Sequence, residues 1–141
     1  MKGVLAAVLA AAGGCASGAA PPDEVALERF EAGNALVAAG RLAEAVPHYE
    51  FAVSNRDRFK EAYYRLAYCH EVLGDESRAV GTYEKVLRVD KVDERALREL
   101  GRLYTHRGLL EQAIGAYKVL GAGDPAARAE LQRLEALKGK P

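Results

Sequence analysis

Arg95, Arg98 and Arg102 are spaced three and four residues apart, which on a helix stacks side chains along one face. Tyr64 and Tyr68, four apart, share a face in the same way. Guanidinium groups beside phenol rings suit one kind of chemistry: planar N–H forks grip carboxylates while the rings stack on an extended partner. The same arginines could instead pair with Glu61, Glu71 and Glu99 and form a solvated charged face. The spacing is compatible with both. Catalytic patterns are missing: there is no Gly-rich phosphate loop, no His–carboxylate pair and no nucleophile motif. His48, His70 and His106 lie far apart with no Cys or His beside them, so no metal site and no cofactor is expected.

The elements that position these side chains come from an internal repeat. "GRLAEAVPHYEFAV", "GDESRAVGTYEKVL" and "GLLEQAIGAYKVLG" share a skeleton. Gly40, Gly74 and Gly108 are each 34 residues apart; Ala45, Ala79 and Ala113 keep that period, and so do Tyr49, Tyr83 and Tyr117. Three markers in register without an insertion signal a repeat architecture. Composition agrees: in 141 residues there are 20 basic and 20 acidic side chains, no Trp and few prolines, with helix-forming residues dominant. The balanced charge offers nothing to nucleic acid. No alternation is long enough for a strand. The copies are 26–59, 60–93 and 94–127, each a helix, a tight turn at the glycine and a second helix. Pro47 falls inside the second helix of the first copy and is expected to bend it slightly.

The third copy carries Leu97, Leu100, Gly101 and Tyr104, then Ala113, Tyr117 and Pro125. This resembles the tetratricopeptide repeat (TPR) pattern W-x2-L-G-x2-Y, A-x3-F and P, with Leu for Trp and Tyr for Phe. The second copy matches with Tyr63, Leu66, Ala67, His70, Ala79 and Tyr83. The first departs at Arg29, where Phe30 next door could supply the missing bulk. The resemblance covers about 26–127 and implies an all-α, right-handed superhelical solenoid of three helix-turn-helix repeats. The stretch 125–138, with Asp124 as cap and Leu131 and Leu134 at core positions, reads as a C-terminal capping helix, giving a TPR domain over 24–138. Cys69, the tenth residue of its copy, falls on the side that packs against the preceding repeat.

TPR proteins bind a partner segment in the concave groove lined by the first helices. Carried over position by position, the resemblance makes Phe30, Asn34, Tyr64, Arg65, Tyr68, Arg95, Arg98 and Arg102 the candidate groove residues, and the partner a protein or extended peptide, with an acidic one favoured. No small-molecule substrate is expected. Chaperone-tail-binding TPRs grip a terminal carboxylate with a Lys and Asn, an Asn, and a Lys and Arg; the corresponding residues are Phe30 and Asn34, Arg65, then Arg95 and Glu99. That full clamp is absent.

The first residues are a different material. Lys2, an apolar run from Val4 to Ala12 and a small-residue exit read as a signal peptide over 1–14. The run is too short to span a bilayer. "AAGGC" resembles a bacterial lipobox, with Ala12 where Leu is usual, which implies lipidation of Cys15. Ala16 after the cysteine implies sorting to the outer membrane, facing the periplasm. Residues 15–23 form a membrane-proximal linker, and Asp23 is the expected N-cap of the first helix. The alternative is ordinary cleavage near Ser17–Ala19 and a secreted or periplasmic soluble protein. The leading expectation is a non-enzymatic, lipid-anchored adaptor that aids assembly of an envelope complex, similar in architecture to type IV pilus pilotins. The alternative is a structural subunit that packs through its repeat faces with no peptide groove in use.

Overall fold

A computed structural model of the chain describes residues 22–140. Seven α-helices follow one another: α1 (Pro22–Ala38), α2 (Leu42–Asn55), α3 (Lys60–Val72), α4 (Glu76–Val89), α5 (Glu94–His106), α6 (Leu110–Leu120) and α7 (Pro125–Lys138), with a single 3-10 turn at Gly121–Gly123. No strand occurs among the described residues. Each helix packs on the next in chain order, which is the all-α helical-repeat architecture expected from the period. Residues 1–21, with the expected signal peptide, Cys15 and most of the linker, lie outside the described residues.

The turns explain the glycines. Gly40, Gly74 and Gly108 have φ of 75°, 80° and 71°, the left-handed region open to residues without a Cβ. Each closes its helix with the same pair of bonds: Gly74 N–H donates to Glu71 C=O at 3.0 Å and Asp75 N–H to His70 C=O at 2.8 Å. Aspartates start three of the helices: Asp75, Asp93 and Asp124 each accept backbone N–H groups through their carboxylates. Asp23 does not cap α1. That helix already begins at Pro22, which places Asp23 in its first turn, 3.6 Å from Arg56. α2 runs through Pro47 as one helix.

The repeat tyrosines sit where the period put them. Tyr49, Tyr83 and Tyr117 are buried, with Ala45, Ala79 and Ala113 at 0% exposure beside them. A Cβ built on Gly33 would come 2.7 Å from Tyr49 Cε1, and one on Gly101 2.6 Å from Tyr117 Cζ. Those glycines therefore let a ring lie directly on the neighbouring helix backbone. Gly81 and Gly115 are helical too, yet a Cβ there would meet nothing within 4 Å. The two pairs should behave oppositely in denaturant melts. Gly101→Ala should destabilise by about 1–3 kcal/mol through overpacking, and Gly81→Ala should stabilise by about 0.5–1 kcal/mol by removing backbone freedom.

The buried residues form two clusters. The larger runs through α1 to α5 and includes Tyr49, Cys69, Val86 and Leu100; the smaller joins α6 to α7 through Ala113, Ile114, Tyr117, Ala127 and Leu134. Tyr104 packs against both. Cys69 is a free, fully buried thiol, and burial pushes its pKa up, which leaves it a small apolar filler.

Candidate functional site

The first helices of the copies, α1, α3 and α5, present one face of the stack, and a cleft of about 380 Å³ opens on it between α3 and α5. Tyr64 and Tyr68 from α3 and Arg95 and Arg102 from α5 line it. Arg65 borders a second opening that shares Tyr64, Tyr68 and Arg95. Five of the eight expected groove residues thus converge.

Their states differ. Tyr68 is half exposed, at 49%, and Val72 beside it is 55% exposed. Tyr64 is buried at 6%, so the cleft sees little of the ring. Its hydroxyl donates to Asp93 Oδ1, and the Arg95 guanidinium lies over its face, 4.0 Å from the centroid. Burial, then the Asp93 carboxylate, push the Tyr64 pKa far above the usual phenol value. Arg95 is exposed, and no described carboxylate pairs with it. Arg65 lies 3.4 Å from Glu61. Arg102 donates to Glu71 and, at 3.0 Å, to Glu99. Burial lowers the Arg102 pKa, but its two carboxylate partners outweigh that and raise it overall. For Arg65 and Arg102 the charged-face arrangement considered from sequence is therefore the one present.

Three expected groove residues sit elsewhere. Phe30 is buried, with its ring 5.8 Å from Tyr49 and 4.7 Å from Phe59. Arg29 occupies the position where the repeat wants bulk, so the neighbouring ring fills the core, while Arg29 lies over the Phe51 ring at 5.1 Å. Asn34 accepts the Tyr49 hydroxyl at 2.9 Å, which commits its carbonyl to holding α1 on α2. Arg98 reaches away to the cap of α7, donating to Asp124 Oδ2 from Nη2 at 2.6 Å and from Nε at 3.2 Å. These bonds hold the Asp124 carboxyl below the usual carboxylate range, with the Ala127 N–H assisting.

Asp93 is the residue the sequence reading overlooked. It caps α5 through Ala96 N–H at 2.9 Å, accepts the Tyr64 hydroxyl, and takes Lys60 Nζ at 2.7 Å; Lys60 also reaches Asp90 at 3.0 Å. Burial alone would raise its pKa. The bonds from Lys60, Tyr64 and Ala96 win, and the carboxyl titrates below its usual range. An aspartate just ahead of an apolar-periodic run was the available signal. The Lys60 and Tyr64 contacts join the first helix of a copy to its last residue, 33 and 29 positions on, which no local pattern encodes.

A family model described as "Tetratricopeptide repeat" matches residues 30–91 and 73–128. DnaJ homolog subfamily C member 3 of Gallus gallus is 28% identical over 99 residues, 70% of this chain and 20% of that protein, so the chain spans a fifth of that relative's length. Two solved structures share the fold. The Yersinia enterocolitica type III secretion chaperone SycD, in complex with a peptide of the translocator YopD, is 14% identical, with 82% of this chain and 95% of that one covered at a TM-score of 0.68. The second TPR domain of human RPAP3, in complex with the HSP70 peptide SGPTIEEVD, is 19% identical, with 81% and 98% covered at 0.66. The repeat period, the glycine turns, the tyrosine-on-glycine packing and the family match agree: this chain belongs to the tetratricopeptide repeat family.

Proposed function

We infer that this protein is a non-enzymatic interaction adaptor that takes an extended partner segment in the α3–α5 cleft. One observation carries the reading: Arg95 is exposed, has no carboxylate partner among the described residues, and is held in place by the Tyr64 ring beside exposed Tyr68 and Val72. A pre-oriented guanidinium next to an aromatic and apolar strip favours a segment with acidic and apolar side chains. The peptide-bound relatives of the same fold support it. A lipid anchor at Cys15, placing the adaptor on the periplasmic side of an outer membrane where it aids assembly of an envelope complex, is the fuller form of the proposal. It is supported by the sequence of residues 1–15. The pairing of Arg65 and Arg102 with the protein's own carboxylates favours the second reading, a subunit that packs through its repeat faces with no groove in use.

Capture from detergent-solubilised membranes, then titration of the captured partner, separates the two. Arg95→Glu should weaken partner binding about tenfold, since a rim charge that meets an acidic ligand is reversed, and wild-type binding should weaken with salt. The fold should not suffer, because Arg95 lies in the first turn of α5, where an acidic side chain suits the helix dipole. Unchanged affinity would exclude the cleft. Cys15→Ser should release the protein from the membrane fraction; release by itself would leave the cleft result standing.

A further inference from the structure

The second helices of the copies leave a cleft each time two of them pass over the first helix between them. The one between α2 and α4, over α3, has a volume of about 540 Å³; the one between α4 and α6, over α5, about 430 Å³. They are the same cleft one repeat apart. Glu50, Leu66 and Gly81 line the first, and Glu84, Leu100 and Gly115, each 34 positions later, line the second. In both, the helical glycine leaves open space where a side chain would stand.

The linings differ at four matched positions. His70, Arg78, Thr82 and Lys85 in the first are replaced by Tyr104, Gln112, Ala116 and Val119 in the second. The repeat accommodates the neutral set at these four positions, although Arg88 and Lys91 also line the second cleft, so the fold does not require Arg78 or Lys85 there. Lys85 and Arg88 are exposed and no described carboxylate pairs with either; Arg78 lies 3.3 Å from Asp75, and Glu50 is the one carboxylate on the lining. The floor differs most. In the second cleft the Tyr104 hydroxyl is satisfied by Glu84 at 2.7 Å. In the first, His70 is only 4% exposed and lines the cleft, yet its ring nitrogens have no hydrogen-bond partner among the described residues. Burial pulls the imidazole pKa below its usual value, with Asp75 and Glu50 opposing and Arg78 and Lys85 assisting. At neutral pH the ring is therefore an N–H donor without a charge of its own.

We propose that the cleft between α2 and α4 is an anion site for a phosphate monoester, held by Lys85 and Arg88 at the rim and by the His70 N–H at the floor. A phosphate dianion offers three strong acceptor oxygens to these donors, and Arg guanidinium forks match its geometry. The bearer is either a small soluble ester or a lipid headgroup, and the chemistry is common to both.

The test uses the full chain. Inorganic phosphate is titrated by calorimetry, with the His70 ring nitrogens followed by NMR, and the protein is co-sedimented with phosphatidylcholine vesicles with and without phosphatidic acid. Saturable phosphate binding that moves the His70 signal is expected, weakened roughly tenfold or more in Lys85→Ala with Arg88→Ala and blocked by Gly81→Leu, which fills the opening. Both rim residues are exposed, so the double variant folds. Phosphate binding without vesicle binding assigns a soluble ester. Vesicle binding that needs phosphatidic acid and the same two residues assigns a lipid headgroup. Failure of both arms, or binding that survives the double substitution, overturns the proposal.

Discussion

Tyr49→Ala should lower the unfolding free energy by about 3–5 kcal/mol, the largest effect of any single truncation expected in this domain. The ring is fully buried, lies on the α1 backbone at Gly33, and touches the Phe30 ring. The hole cannot close easily, because the position facing it carries no side chain that could move in. The hydroxyl is a smaller part of the loss. Its acceptor Asn34 is only half-buried and can turn to water, so Tyr49→Phe should cost about 0.5–1.5 kcal/mol. Urea melts of the two variants separate ring from hydroxyl, and equal losses would mean that the ring does not carry the packing. Alkaline titration gives an independent reading. Burial, with the Cys69 thiol adding to it, pushes the Tyr49 pKa up to about 12. A raised folded-state value means its contribution is complete below the unfolded phenol pKa near 10 and disappears as pH rises from there towards 12.

Asp93→Ala should cost about 2–4 kcal/mol, the sum of a lost helix cap and a buried hydroxyl left without its acceptor. The carboxylate side chain is 9% exposed, whereas its partner Lys60 is 40% exposed. Water screens that ion pair, so its share of the total is small. Asp93→Asn should lie between wild type and Ala, since an amide still caps α5 but cannot serve all three donors. The folded carboxyl titrates below the unfolded one, so its stabilisation is present above the ordinary aspartate range and is lost as pH falls through the folded value. Wild type should therefore weaken on acidification more than Asp93→Asn does. Parallel acid curves for the two proteins would contradict this account.

How much of this was legible depended on whether the determinant was local. The glycine turns were, because a left-handed residue at a helix end follows from one residue type at a fixed place. So was the tyrosine core, since a small residue and a ring recur together at Gly33 and Tyr49 and again at Gly101 and Tyr117. The groove was legible only in outline. Helix periodicity put Arg95, Arg98 and Arg102 on one face, but a long side chain ends where its nearest partner is. Arg98 found Asp124 across the start of α7, and Arg102 found Glu71 on the previous repeat. Those partners are 26 and 31 residues away in sequence. Phe30 failed for the opposite reason: Arg29 broke the repeat's own rule, and the core took the next ring along the helix.

The division of the interior into two clusters sets an order of opening. The α6–α7 cluster is the smaller; among the described side chains Tyr104 packs against both clusters, and the Tyr117 ring rests on the α5 backbone at Gly101. Tyr104 is itself half-buried, and the Arg98–Asp124, Lys118–Glu135 and Lys138–Glu111 pairs that help fasten α6 and α7 are solvent-exposed. Salt weakens such pairs without touching the larger cluster. The C-terminal helices should thus form a separate cooperative unit that exchanges its amide hydrogens well before α3 and α4 do. A chain built as a stack can then shed its last storey and reseal it without losing the rooms beneath.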